Sequence, residues 1–167
     1  MNAKIGLTLL LMLTTPVVLA AEAKIGAPAP AFTLTDTAGN PRALSEFAGK
    51  TVVLEWTNHE CPFVMKHYNG ENMQRQQAGA TSNGVVWLVV NSSAPGKQGH
   101  VSPKQAEKIQ AEWNARQTHY LFDTAGNAGR AYGAKVTPHM YVIDGDGILR
   151  YNGAIDSIPS ANPSDLA

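Results

Sequence analysis

"VVLEWTNHECPFVMKHY", residues 52–68, joins an apolar run to a helical stretch, with the chain's only cysteine at the junction. Val52–Trp56 is β-branched and mostly apolar, the pattern of a strand buried on both faces. Pro62 suits a first helical turn, where its missing N–H has no partner to lose. Cys61 therefore sits where a strand ends and a helix begins. Free N–H groups and the positive dipole end at such a place favour the thiolate, the reactive form of cysteine. Lys66 and His67, one to two turns on, add positive charge, and Glu60 opposes it. The plainer alternative is a buried structural cysteine; the strand–helix junction argues for the reactive one. A dithiol redox protein carries its second cysteine three residues after the first, and here that place is Val64.

Outward from this junction, strands and helices alternate. "AFTLTD" alternates apolar and polar residues and "TAGN" turns the chain. A helix is expected from Pro62 to about Gln77, with Phe63, Met65, Tyr68 and Met73 inward and a weak point at Asn69-Gly70. "GVVWLVVN" is a second buried strand. "SPKQAEKIQAEWNAR" is the clearest helix: Ser102 is its N-cap, Pro103 lies in the first turn, and Gln105 completes a capping box. Ala106, Ile109 and Trp113 share one of its faces. "HYLFD" is a short strand, "TAGNAGRAYGA" a short helix, and "HMYVID", "GDG" and "ILRYNG" form a closing hairpin. Strands separated by helices imply βαβ crossovers. The fold class is α/β, a central mixed β-sheet of about five strands flanked by helices.

The N-terminus has a separate character. Lys4 is followed by an uncharged run from Ile5 to Ala21 that closes on small residues. Residues 1–23 read as a secretory signal peptide, with cleavage after Ala20 or Ala23. Pro16 interrupts the run, which argues against a permanent membrane span. The remainder, 24–167, is the size of one domain. It would be exported and soluble, in the periplasm or outside the cell, where conditions are oxidising. Lys and Arg balance Asp and Glu at 13 each, and no basic run appears, so neither nucleic-acid nor electrostatic membrane binding is supported. One cysteine cannot form an internal disulfide.

"VVLEWTNHECPFVMKHY", with "YGAKVTPHMYVIDGDGILRYNGAID" far downstream and the lead-in "KIGAPAPAFTLTDTAGNPRALSEFAGKTVVL", resembles secreted thioredoxin-fold redoxins of the alkyl hydroperoxide reductase/thiol-specific antioxidant family. The resemblance implies a thioredoxin-like fold and a cis proline at Thr137-Pro138 beside Cys61. It makes Trp56, Thr57, Asn58, Pro62, Thr137 and Pro138 the neighbours of a catalytic Cys61. Peroxiredoxins carry a threonine three residues before the reactive cysteine, where this chain has Asn58; Leu54 holds the place of their proline. The resemblance also implies a final helix. "NPSDLA" reads as its first turn, capped by Asn162 or Ser164, so the chain is expected to be a fragment lacking the rest.

Three functions fit these residues. Cys61 attacks a peroxide or a disulfide, and an external thiol or thioredoxin-like reductant resolves the product, with no cofactor. Alternatively Cys61, His59 and His139 hold copper(I), helped by Met65 and Met140; the plainer reading makes Met140 core and His59 a solvated loop residue. Third, the fold is a non-catalytic module that presents a groove. His67, His100 and His119 read as surface or structural residues. Glu55 is either a proton acceptor for the thiol through water or a hydrogen-bonded polar residue, the second being the plainer. The loop "NSSAPGKQGHVS" borders a groove or is plain surface.

Overall fold

The apolar runs become the centre of a sheet. The computed structural model describes residues 22–166, so the leader read over 1–23 lies outside the described residues but for its last two. In chain order the strands are β1 (Thr33–Asp36), β2 (Pro41–Ala43), β3 (Val52–Trp56), β4 (Val86–Asn91), β5 (His119–Phe122), β6 (His139–Ile143) and β7 (Leu149–Gly153). The helices are α1 (Pro62–Asn69), α2 (Asn72–Ser82), α3 (Pro103–Glu112) and α4 (Asn127–Tyr132), with 3-10 turns at Leu44–Phe47 and Pro163–Leu166. Sheet order is β2-β1-β5-β4-β3-β6-β7. β3, β4 and β5 run parallel, and β6, β7, β1 and β2 are antiparallel to their neighbours. This is the thioredoxin-like α/β fold, with seven strands where about five were expected. β2 has only three residues and escapes a periodicity of two; Asp36 holds its turn by accepting from the N–H groups of Ala38 and Asn40 and from Arg42 Nε.

Every residue of β3 and β4 is buried because helices cover both faces. Side chains of a strand alternate between faces. Val52, Leu54 and Trp56 pack with Tyr132 and Tyr141 on the α4 side. Val53 joins Val64, Tyr68, Met73 and Ala106 on the side of α1, α2 and α3. The α3 cap is as expected: Ser102 Oγ accepts from the Gln105 N–H while Gln105 Oε1 accepts from the Ser102 N–H.

The helix expected over Pro62–Gln77 is two helices. Gly70 closes α1 through its N–H to the Lys66 carbonyl, and Glu71 then turns left-handed at φ 56°. The break changes which residues are inside. Tyr68 and Met73 are buried, but Phe63 and Met65 are 43% and 41% exposed. Val64, Lys66 and His67 take the inner positions. His67, read as a surface or ordinary structural residue, is buried. At the other end Asn162 Oδ1 caps the Ser164 N–H, as one of the two alternatives had it, and Leu166 lies against Gly70. Among the described residues no helix is long and apolar enough to cross a membrane.

Candidate active site

Cys61 is the N-cap residue of α1, and its carbonyl takes the first helical bond from the Met65 N–H at 2.9 Å. The turn that delivers it is closed by the Cys61 N–H to the Asn58 carbonyl at 3.0 Å and by the Glu60 N–H to Asn58 Oδ1 at 2.9 Å. Glu60 Oε2 in turn accepts from the Gly99 N–H at 2.8 Å. The loop 91–102 therefore braces the cysteine turn; it is more than plain surface.

Gly99 has φ +79°, and a Cβ there would run into the Asn58 side chain. Gly99→Ala should cost about 1–3 kcal/mol through left-handed strain and this clash. Gly96 has φ +75° with open space around it, so Gly96→Ala should cost less. Urea unfolding of both variants measures the difference; equal losses would remove the clash from the account.

The half-buried thiol donates to the Thr137 carbonyl at 3.1 Å, and the Thr137-Pro138 peptide bond is cis. Cys61, Pro62, Asn58, Thr137 and Pro138 are thus brought together. An apolar groove of about 370 Å³ opens beside them, lined by Phe63, Val136, Pro138, Ile155, Ile158 and Pro159 among others.

Other expected residues are used differently. Trp56 is core on the far face, its Nε1 donating to Ser92 Oγ. Thr57 is buried. His139 pairs in register with Trp56, and so points to that same far face. Its ring nitrogens engage Asn152 Oδ1 and Tyr141 Oη. Burial holds the His139 imidazole below its usual range, while the Asn152 bond works the other way. Cys61 packs with the α1 side. Strand alternation therefore separates His139 from Cys61. Among the described residues no group of three or more His, Cys, Asp or Glu is placed for a metal.

Lys66 and His67, expected as positive charge for the thiol, turn to Asp156 instead. Lys66 Nζ lies 2.8 Å and His67 Nε2 3.4 Å from Asp156 Oδ2. Burial pushes the His67 imidazole below its usual range, against the pull of the Asp156 carboxylate. Since His67 and Asp156 both line the groove, this pair of contacts fastens its wall to α1. Nothing in the sequence signals the pairing, because Asp156 is 90 residues from Lys66.

Glu55 is fully buried under α1 and α2. Tyr68 Oη donates to its Oε1 at 2.9 Å, and Trp87 Nε1 and Gln77 Nε2 donate to its Oε2 at 2.8 and 3.2 Å. Burial outweighs these donors and raises its pKa from 4.5 to about 7. The folded state therefore holds a proton that the unfolded chain releases. Its contribution to stability is present below pH 4.5 and is lost as pH rises to about 7, a fall on the order of 3 kcal/mol. Urea unfolding from pH 4.5 to 8 should show this slope in the wild type and not in Glu55→Gln. Parallel pH curves for the two proteins would refute it.

The Redoxin family model matches residues 24–167. An uncharacterized conserved protein from Geobacillus kaustophilus has a similar structure, with 26% identity over 92% of this chain and 84% of that chain and a TM-score of 0.73. A putative thiol:disulfide interchange protein DsbE from Chlorobium tepidum gives 26% identity over 79% and 86%, with a TM-score of 0.64. A secreted Mycobacterium tuberculosis disulfide oxidoreductase homologous to E. coli DsbE shares the fold at 18% identity over 81% and 90%, with a TM-score of 0.58. No curated protein matches the sequence.

Proposed function

We propose, since this chain belongs to the Redoxin family, that it is a one-cysteine thiol–disulfide exchange protein. The observation that carries the reading is the half-buried Cys61 thiol, held at a helix N-terminus against the carbonyl of Thr137, a residue that lines the neighbouring groove. The Cys61 thiolate attacks one sulfur of a disulfide R–S–S–R′. The new Cys61–S–S–R bond forms as R′S⁻ leaves, and a proton from solvent neutralises it. An external thiol then attacks the R sulfur and releases the Cys61 thiolate. A thiol or thioredoxin-like reductant is the partner. The leader read at residues 1–23 exports the protein to an oxidising compartment where disulfides persist.

Exchange is favoured over peroxide reduction on two grounds. The groove walls are mostly apolar and suit an extended sulfur-bearing substrate. The Thr57 hydroxyl, on the residue just before the cysteine turn, is closed off from the surface. The Chlorobium tepidum neighbour, a putative thiol:disulfide interchange protein, points the same way.

The test is direct. Reduced wild type and Cys61→Ser are exposed to a model disulfide and, separately, to hydrogen peroxide, and intact mass is followed. The wild type should gain one half of the disulfide at least about tenfold faster than it gains oxygen, and Cys61→Ser should gain neither. Faster oxygen addition would make peroxide the substrate. An unmodified thiol in folded protein would turn the reading to a non-catalytic module.

A further inference from the structure

Four buried polar atoms without a protein partner surround one small cavity beneath the Cys61 turn. Thr57 Oγ1, His59 Nδ1, Gln110 Nε2 and Gln117 Oε1 are closed off from the surface and bond no protein group. The four residues line a single cavity whose other walls include Val89, Ile109 and Trp113. Their meeting follows from the fold. Thr57 continues the alternation of β3 on the Glu55 face, and the segment from α3 into β5 brings Gln110 and Gln117 over it. The Gln117 amide donates to the Gln110 carbonyl, which leaves one donor and one acceptor free. Turning both amides over exchanges those roles and still leaves one of each.

An unpartnered buried polar group costs about 1–3 kcal/mol. Four together would consume a large part of the roughly 5–15 kcal/mol by which a domain is stable. The cavity offers about 10 Å³ to a water-sized sphere, close to what one water needs and too little for a substrate. Groups of this kind in a site of this size are the ordinary partners of a buried water.

We propose that Thr57, His59, Gln110 and Gln117 bind one ordered water molecule, and that through it His59 is a positioning residue for the turn that carries Cys61. The neighbours of His59 in that turn are already anchored. Asn58 is tied to the Glu60 and Cys61 N–H groups, and the Glu60 carboxylate is tied to Gly99. The water gives His59 the corresponding anchor. The water site does not depend on which substrate Cys61 attacks; the positioning role rests on the exchange reading above.

A high-resolution crystal structure of the reduced protein should show a single water about 2.7–3.2 Å from Thr57 Oγ1 and His59 Nδ1. Thr57→Val keeps the shape and removes the hydroxyl, and Thr57→Ser restores it. In nitrogen NMR of the imidazole, wild type and Thr57→Ser should show one His59 ring state, and Thr57→Val a shifted or averaged one. Exchange with the model disulfide should be about fivefold slower in Thr57→Val and recover in Thr57→Ser. Density without a water, or a Thr57→Val protein with the wild-type ring signal and rate, would overturn the proposal. A wild type that does not exchange overturns the proposed reaction instead, and the density and ring signal still decide the water and the anchoring of His59.

Discussion

Val64→Cys should end the build-up of mixed disulfide at Cys61. Given a disulfide and no external thiol, the wild type stops once Cys61 is bonded to half of the substrate, because the chain has no second thiol to release it. Val64 lies three residues on, in the first turn of α1, with 0% exposure. Residues three apart in a helix have Cα separations of about 5 Å, inside the roughly 4.4–6.8 Å that a disulfide spans. The new thiol would attack the Cys61 sulfur of the mixed disulfide. An internal disulfide forms, and the substrate leaves as its thiolate. Making this step intramolecular should shorten the life of the mixed disulfide at least about a hundredfold. Trimming a buried valine to cysteine costs about 1 kcal/mol, so the fold survives. Acid quenching and intact mass measure the outcome. A mixed disulfide that persists as in the wild type, in folded Val64→Cys, would mean that the Cys61 sulfur is shielded from α1.

Asp156→Ala should destabilise the protein by about 3 kcal/mol, since among the described residues it removes the one carboxylate paired with the buried Lys66 ammonium. The Lys66 side chain is 0% exposed and that of Asp156 28%, so the ion pair closes at the edge of the groove with lysine on the inner side. Loss of the carboxylate strands a buried charge and frees His67 Nε2 as well. Lys66→Met combined with Asp156→Ala removes the stranded charge and should recover most of the loss. The groove wall at Ile155 and Ile158 also loses its tie to α1, so exchange with an apolar disulfide should slow in both variants. Urea unfolding and exchange rates report the two effects separately. A single variant within about 1 kcal/mol of wild type would show that Lys66 finds another partner.

Local chemistry is what could be read directly from the chain. The β-branched runs, the Ser102–Gln105 capping box, the Pro62 start of α1 and the turn at "TAGN" depend on neighbours within a few residues. They appeared where expected. So did Cys61 at a helix N-terminus, for the same reason. The cis Thr137-Pro138 bond was legible only through resemblance, because proline alone does not choose its isomer. The reading was weaker wherever an outcome depended on a balance. Asn69-Gly70 marked a soft point in a helix, but only packing decided that Gly70 and Glu71 would break it in two and turn Phe63 and Met65 outward.

Sequence alone therefore determined the order of the elements, the strand–helix junction that presents Cys61, and the lack of an internal partner for it. Tertiary structure decided the rest of the site. Register set His139 opposite Trp56 and turned it away from the thiol. Packing of α1 and α2 enclosed Glu55 among Tyr68, Gln77 and Trp87 and raised its pKa to about 7. The return of the chain after β7 brought Asp156 to Lys66 and shaped the groove. These are contacts between residues far apart in the chain. Their energy depends on burial and on geometry that exist only once the sheet has formed, and no local pattern encodes them.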